Sequence, residues 1–211
     1  MVSDYELTAR VRIRDCALRL FAERGPDAVS VREVAACAGV SAPLVLHHFT
    51  SKQGLRDAID QHVAQIFDEM LEAPADALAA LAGGDELAVS GFAEMLLRSL
   101  PPGSPIPAYL RRLLLSTDPV GHRLFKQWFE LSRGLLVEFE RMGATRPSAD
   151  PEVRAAFLMV NDLAMVLMHE HLADVLGVDP LSQEGAQRWG ADVIKAYTQG
   201  VFTQPPEGAQ P

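Results

Sequence analysis

Hydrophobic positions recur at helical spacing along most of the chain, and Gly and Pro interrupt them, with no convincing alternating strand pattern. The densest signal lies in residues 28–55, AVSVREVAACAGVSAPLVLHHFTSKQGL. Ser30 is a favoured N-cap residue with Glu33 three places on, the spacing of a capping box, so a helix is predicted from Val31. Its inner face carries Val34, Ala35 and Ala38. Gly39 then supplies a left-handed C-cap, and Val40 tucks the turn back onto the core. Ser41 caps a second helix over residues 41–49, with Pro43 in the first turn, where no backbone donor is lost. Val45, Phe49 and part of His48 fall inward, which leaves Ala42, Leu44, Leu46 and His47 toward the outside. Ala35, small and four residues before Gly39, lets the two helices cross closely. Two short helices around one glycine-centred turn form the geometry that lays a helix in the DNA major groove. On spacing alone, an ordinary helical hairpin is the alternative.

Further along, the pattern predicts helices from Lys52 to about Leu71, stopped by Pro74, and from Asp85 to Leu100, ended by Pro101, Pro102 and Gly103. Helices from Pro107 to Ser116 and from Pro119 to Met142 follow, then Pro151 to about Leu176 and Leu181 to Phe202. With a helix at ALRLFAERG, the expectation is an all-α protein of about nine helices. A three-helix DNA-binding domain is expected over residues 1–55 and a helical bundle for ligand binding and dimerisation over 56–203. Residues 204–211 read as a flexible tail.

From about Arg12 to Val63 the chain resembles the TetR (tetracycline-repressor-like, TetR/AcrR) family of one-component bacterial transcription regulators. ALRLFAERG, VSVREVAACAGVS, a helix ending HHF and the opening SKQGL match together and in order. The remainder matches only in length and helicity. The resemblance implies a cytoplasmic DNA-binding homodimer, a repressor released from a palindromic operator when a small, largely apolar ligand binds the C-terminal domain. It implies no cofactor.

Carried over by position, the resemblance assigns DNA contacts to Ser30, Arg32, Ser41, Ala42, Pro43, Leu44, Leu46, His47, His48 and Lys52. Arg32 matches a position that reaches guanine in some relatives, and arginine grips guanine O6 and N7 as a bidentate pair. Ser30, His47, His48 and Lys52 match phosphate-contacting positions, with His48 alternatively half-buried against Val34. Here the chain departs from its relatives, which commonly carry tyrosine at the place of Leu46 and polar or basic residues at Ala42 and Leu44. Apolar groups have only thymine methyls to contact directly, so sequence choice is expected to rest on Arg32, those methyls and DNA shape.

Composition changes the picture in two respects. The 211 residues, 48% of them hydrophobic, can bury a sizeable core, but the net charge of -9 is unusual for a DNA binder. Residues 1–62 hold eight Arg or Lys against eight Asp or Glu, so the excess acid lies in the remainder. Arg10, Arg12 and Arg14 before the first helix, with Lys52 and Arg56 opening the fourth, are candidate phosphate contacts; a solvated helix face is the alternative. The opening residues lack the pattern of a signal peptide, and Ala155–Met168, the most apolar stretch, is too short to span a membrane. Cys16 and Cys37 read as buried thiols.

The helix from Pro151 is apolar on nearly all sides, and the next carries a stripe at helical spacing. In the resembling family the last two helices pair with those of a second subunit. Leu167, Leu172, Trp189, Val193, Tyr197 and Val201 are therefore the expected dimer contacts, setting two heads roughly 34 to 36 Å or more apart. A core helix within a monomer is the alternative. Large adaptable side chains, Phe92, Met95, Tyr109, Phe125, Trp128, Phe129 and Met165, with Asn161 and His169 as polar anchors, are candidates to line an effector pocket. No catalytic or metal site is expected, because His169 and His171 stand two apart, unlike the i, i+4 histidines of HExxH. The competing possibility is an all-helical adaptor or a metal-dependent enzyme that does not act on DNA.

Overall fold

Capping side chains and glycines set the ends of the short N-terminal helices in the computed structural model, which describes residues 4–71, 97–101 and 103–201. Nine helices form among the described residues: α1 (Asp4–Arg24), α2 (Val31–Ala38), α3 (Ala42–Phe49), α4 (Lys52–Leu71), α5 (Ile106–Leu114), α6 (Pro119–Arg141), α7 (Pro151–Leu167), α8 (His169–Leu176) and α9 (Gln183–Gln199). The helix expected over Asp85 to Leu100 falls largely outside the described residues, as do the stop at Pro74 and the tail from 204.

Two compact units result, one of residues 1–71 and 103–130, the other of 72–102 and 131–211. In the first, α1 lies against α2, α4 and α5. Its core is Ile13, Phe21, Val29, Val34, Val45, Leu55, Ile59, Val63 and Leu110, all sealed from solvent. Truncating any of the large ones to alanine costs about 2–5 kcal/mol. α4 runs unbroken through residue 55, so the expected domain edge falls within a helix. Residues 103–130 pack with the head because Arg112 of α5 donates to the carbonyls of Ala22 and Glu23 at the end of α1, giving those orphan acceptors a cation.

A buried polar cluster adds to this seam. The Tyr109 hydroxyl donates to Asp60 Oδ1 at 2.5 Å, and Arg56 pairs with Asp118. Arg56 Nε and Asp60 Oδ2 face each other at 4.0 Å without a hydrogen bond. Burial pushes the Asp60 carboxyl above its ordinary value, against the Tyr109 hydrogen bond and the Arg56 charge.

In the second unit, Asp150 caps α7 by accepting from the Val153 amide, and Ser182 caps α9 by accepting from Gly185. The single helix expected from Pro151 to Leu176 is instead two, because the backbone leaves helical geometry at Met168 (φ −110°, ψ 12°). His169 then lies with Nδ1 3.3 Å from Asp179 Oδ1, in the turn before α9. The last helix starts at Gln183 rather than Leu181 because Ser182 is its cap.

Candidate nucleic-acid interface

The corner between α2 and α3 is built from local chemistry. Ser30 Oγ accepts from the Glu33 amide, while the Ser30 amide donates to Glu33 Oε2 at 2.7 Å, completing the capping box. Arg24 adds an ion pair to Glu33 at 2.8 Å. The Ser30 hydrogen bonds, with the Arg24 charge behind them, hold the Glu33 carboxyl down at about 2, against an ordinary 4.5. Gly39 takes the left-handed conformation (φ 65°) and returns its amide to Ala35 and Ala36. Ser41 Oγ accepts from Leu44 N and starts α3. Val34, Ala35, Ala38, Val45 and Phe49 are buried, as the helical period required.

α3 ends in a strained turn. Thr50 is the one non-glycine residue with positive φ among the described residues (φ 65°, ψ −42°), and the Ser51 amide donates to the Phe49 carbonyl at 2.7 Å. That is a γ-turn of the rare positive-φ kind, costly for a β-branched residue. It lets Ser51 cap α4 by accepting from Gly54 N at 2.9 Å. Gly54 has no alternative here, since a β-carbon would overlap the Phe49 carbonyl oxygen. The GL of SKQGL thus exists to bring α4 tightly under α3.

The outward surface consists of Pro43, Leu46 (44% exposed) and His47, with Ala42 and Leu44 half-buried. Arg32 is exposed on α2 and carries no hydrogen bond or ion pair among the described residues. Ser30 and Ser41 are exposed but spend their hydroxyls on caps. His48 is half-buried with Nε2 out of reach of solvent, so it is a packing residue more than a surface one. Lys52 Nζ lies 3.3 Å from the Asp27 carbonyl, which neutralises none of its charge.

Other expectations need correction. Arg10, Arg12 and Arg14 do not precede the first helix; they lie within α1, which begins at Asp4. Arg10 sits over the Phe49 ring at 4.8 Å and donates to the His48 carbonyl, so it braces α3. Arg14 is paired with Asp15. Arg56 is turned into the cluster with Asp118 and Asp60, because those carboxylates compensate its burial, and it is not open to phosphate. Cys16 and Cys37 are not buried thiols: they form a disulfide, which their Cα separation of 5.9 Å permits.

The residues singled out for an effector pocket divide between the two units. Phe92 and Met95 lie outside the described residues. Tyr109, Phe125, Trp128 and Phe129 belong to the first unit, and Asn161, Met165 and His169 to the second. Tyr109 is 2% exposed with its hydroxyl committed to Asp60. Asn161 donates to the Tyr197 hydroxyl at 2.7 Å, and Tyr197 donates to Asp162 at 2.9 Å, tying α7 to α9. A cleft of about 20 Å³ beside Val137, Pro151 and Arg154 has room for one water.

Of the expected dimer contacts, Leu167, Leu172, Trp189 and Val193 are half-covered, while Tyr197 and Val201 stand open. Phe157 (65% exposed) and Val160, two of the residues that make the helix from Pro151 apolar on nearly all sides, stand open together with Val153, at i, i+4, i+7 spacing on α7.

Comparison with known proteins agrees with this architecture. Residues 13–59 match the family described as bacterial regulatory proteins, tetR family, and residues 103–203 match a tetracyclin repressor-like C-terminal domain. The chain is 36% identical over 201 residues to the HTH-type transcriptional regulatory protein RaaS of Mycobacterium tuberculosis, covering 93% of this chain and 88% of that one. Among solved structures it shares a fold with the fatty acid degradation regulator FadR from Bacillus halodurans (TM-score 0.65, 17% identity, 93% of this chain and 97% of that one). It likewise resembles AibR, solved in complex with isovaleryl coenzyme A and operator DNA (TM-score 0.60, 18% identity, 89% and 96%). With its capped α2–α3 corner, its all-helical body and these matches, the chain belongs to the tetR family of bacterial regulatory proteins and is a helix-turn-helix transcription regulator.

Proposed function

We propose that two copies of this regulator grip a palindromic operator through α2 and α3, acting as a repressor in the cytoplasm, and that a small, largely apolar effector in the C-terminal domain releases them. The observation that carries the reading is an exposed α3 surface flanked by a cation with no partner among the described residues. Leu46 and His47 on α3 and Arg32 on α2 are all exposed, on a corner whose helices are capped by Ser30, Gly39 and Ser41. Arg32 supplies the bidentate donor for guanine, Leu46 and Ala42 meet thymine methyls, and Lys52 and His47 lie where phosphates pass. The hydroxyls of Ser30 and Ser41 act on register through the helix termini they cap.

Pairing of two copies is supported by the exposed apolar stripe Val153, Phe157 and Val160 on α7 and by the exposed Tyr197 and Val201 toward the end of the chain. Effector release is a linkage between two sites, and a protein of this fold, AibR, was solved in complex with isovaleryl coenzyme A and operator DNA. Among the described residues no helix is long and apolar enough to cross a membrane. No catalytic step is part of this reading.

Selection of bound duplexes from a random DNA library tests it. Enrichment of an inverted repeat whose half-sites lie one or more helical turns apart is expected. Recovery of unenriched DNA, or of a single half-site bound by one copy, contradicts it.

A further inference from the structure

Cys16 and Cys37 are the only cysteines in the chain, and the fold brings them together across the α1–α2 seam as a disulfide. Both side chains are half-buried rather than sealed within the core. Arg19, one turn along α1 from Cys16, places Nη2 3.0 Å from the sulfur of Cys37. A guanidinium at a sulfur favours the thiolate, the form that reacts with oxidants. Cys37 also stands two residues before Gly39, the pivot between α2 and the outward helix α3.

We propose that Cys16 and Cys37 form a redox-active dithiol site on the head, oxidised to the disulfide by hydroperoxides and reopened by dithiol reductants. The Cys37 thiolate attacks the terminal peroxide oxygen; the O–O bond breaks, an alcohol or water leaves, and Cys37 becomes a sulfenic acid. The Cys16 thiolate then attacks that sulfur, the S–O bond breaks and water departs. Two thiols and one hydroperoxide thus give one disulfide, one alcohol (or water) and one water. A dithiol reductant returns two electrons and two protons through a mixed disulfide. Because the bridge joins residues 21 apart in sequence and encloses the turn between α1 and α2, it restricts the unfolded head far more than the folded one. The oxidised head is therefore held together covalently, whereas the reduced head depends on packing of α2 against α1. The site lies outside the surface assigned to DNA, and its chemistry is independent of that assignment.

The test uses the full chain, reduced with dithiothreitol under native conditions, desalted, and treated with one equivalent of hydrogen peroxide. Intact mass should fall by two hydrogens, peptide mapping should join the segments containing Cys16 and Cys37, and dithiothreitol should reverse both. The oxidised form should melt roughly 5 °C or more above the reduced form. The Cys16→Ser, Cys37→Ser double variant should show no peroxide-dependent shift. Arg19→Ala, a change at an exposed residue, should slow oxidation about tenfold at neutral pH, with Arg19→Lys recovering most of the rate. A bridge that resists dithiothreitol in the folded chain, oxidation that stops at sulfinic acid or links separate chains, or equal melting of the two forms would each overturn the proposal. Oxidation of Arg19→Ala at the unaltered rate would do the same.

Discussion

Two solvent-facing surfaces of the molecule are made in opposite ways. On α2 and α3 the backbone is fastened at every end, by the Ser30–Glu33 box, Gly39, Ser41 and the γ-turn at Thr50, while the outward side chains are few, chiefly Arg32, Pro43, Leu46 and His47. On α7 the outward side chains include a large apolar stripe, Val153, Phe157 and Val160, and hydrogen bonding between α7 and α9 runs through Asn161, Tyr197 and Asp162. Backbone fastening orients a surface against a rigid partner such as a duplex, where an error of an ångström loses a base contact. An apolar stripe gains its free energy from burial and suits a partner of the same kind. The head is thus organised for position and the α7 stripe for area.

The contrast is broken most severely at Gly54. Gly54→Ala forces a β-carbon into the Phe49 carbonyl oxygen, so α4 must move from under α3. A loss of about 3 kcal/mol or more in urea denaturation is expected, with α7 and α9 unaffected. Unchanged stability would mean that the corner is slack. Phe157→Glu acts on the other surface: it should raise the dimer dissociation constant about a hundredfold in sedimentation equilibrium while leaving the head's fold intact. An unaltered dimer would remove the α7 stripe from the interface.

These same places show how much could be read from sequence. The α2–α3 corner was legible because its determinants are local: Ser30, Glu33, Gly39, Ser41 and Pro43 each act within four residues. The helices from Pro107, Pro119 and Pro151 were found as well, because proline marks helix starts regardless of tertiary context. What failed depends on partners distant in sequence. Arg56 looked like a surface cation until Asp118, 62 residues away, claimed it, and Arg112 capping α1 has no local signature. The cysteines have a spacing of 21 that matches no motif, and only the crossing of α1 over α2 makes them neighbours. The Tyr109 hydroxyl is committed to Asp60, 49 residues before it, a pairing that no local pattern announces. The break at Met168 involves neither Pro nor Gly and carries no sequence signal.

Smaller effects sharpen the division within the head itself. Arg32→Ala should cost roughly 1–3 kcal/mol of specific DNA binding and relax preference at one base pair per half-site. Equal discrimination by variant and parent in competition binding would assign base reading elsewhere. Lys52→Ala should weaken binding to all duplexes alike and reduce the salt slope by about one. A full slope would take Lys52 off the phosphate path. The slightest effect concerns Glu33, held at about 2 against an ordinary 4.5. Since the folded value is the depressed one, its contribution is fully present above 4.5 and is lost as pH falls through 2. Stability of the parent should therefore decline across that window more steeply than that of Glu33→Gln, and parallel curves would show that the capping box contributes no pH dependence.

In the proposed function, two heads paired through the apolar stripe on α7 read DNA by sequence. Fluorescence anisotropy on the inverted repeat recovered by library selection, against a scrambled duplex of the same composition at near-physiological salt, tests it most directly. Two chains per repeat and a preference of at least about a thousandfold over the scrambled duplex are expected. Equal affinity for both duplexes, or saturation by a single chain, would contradict it.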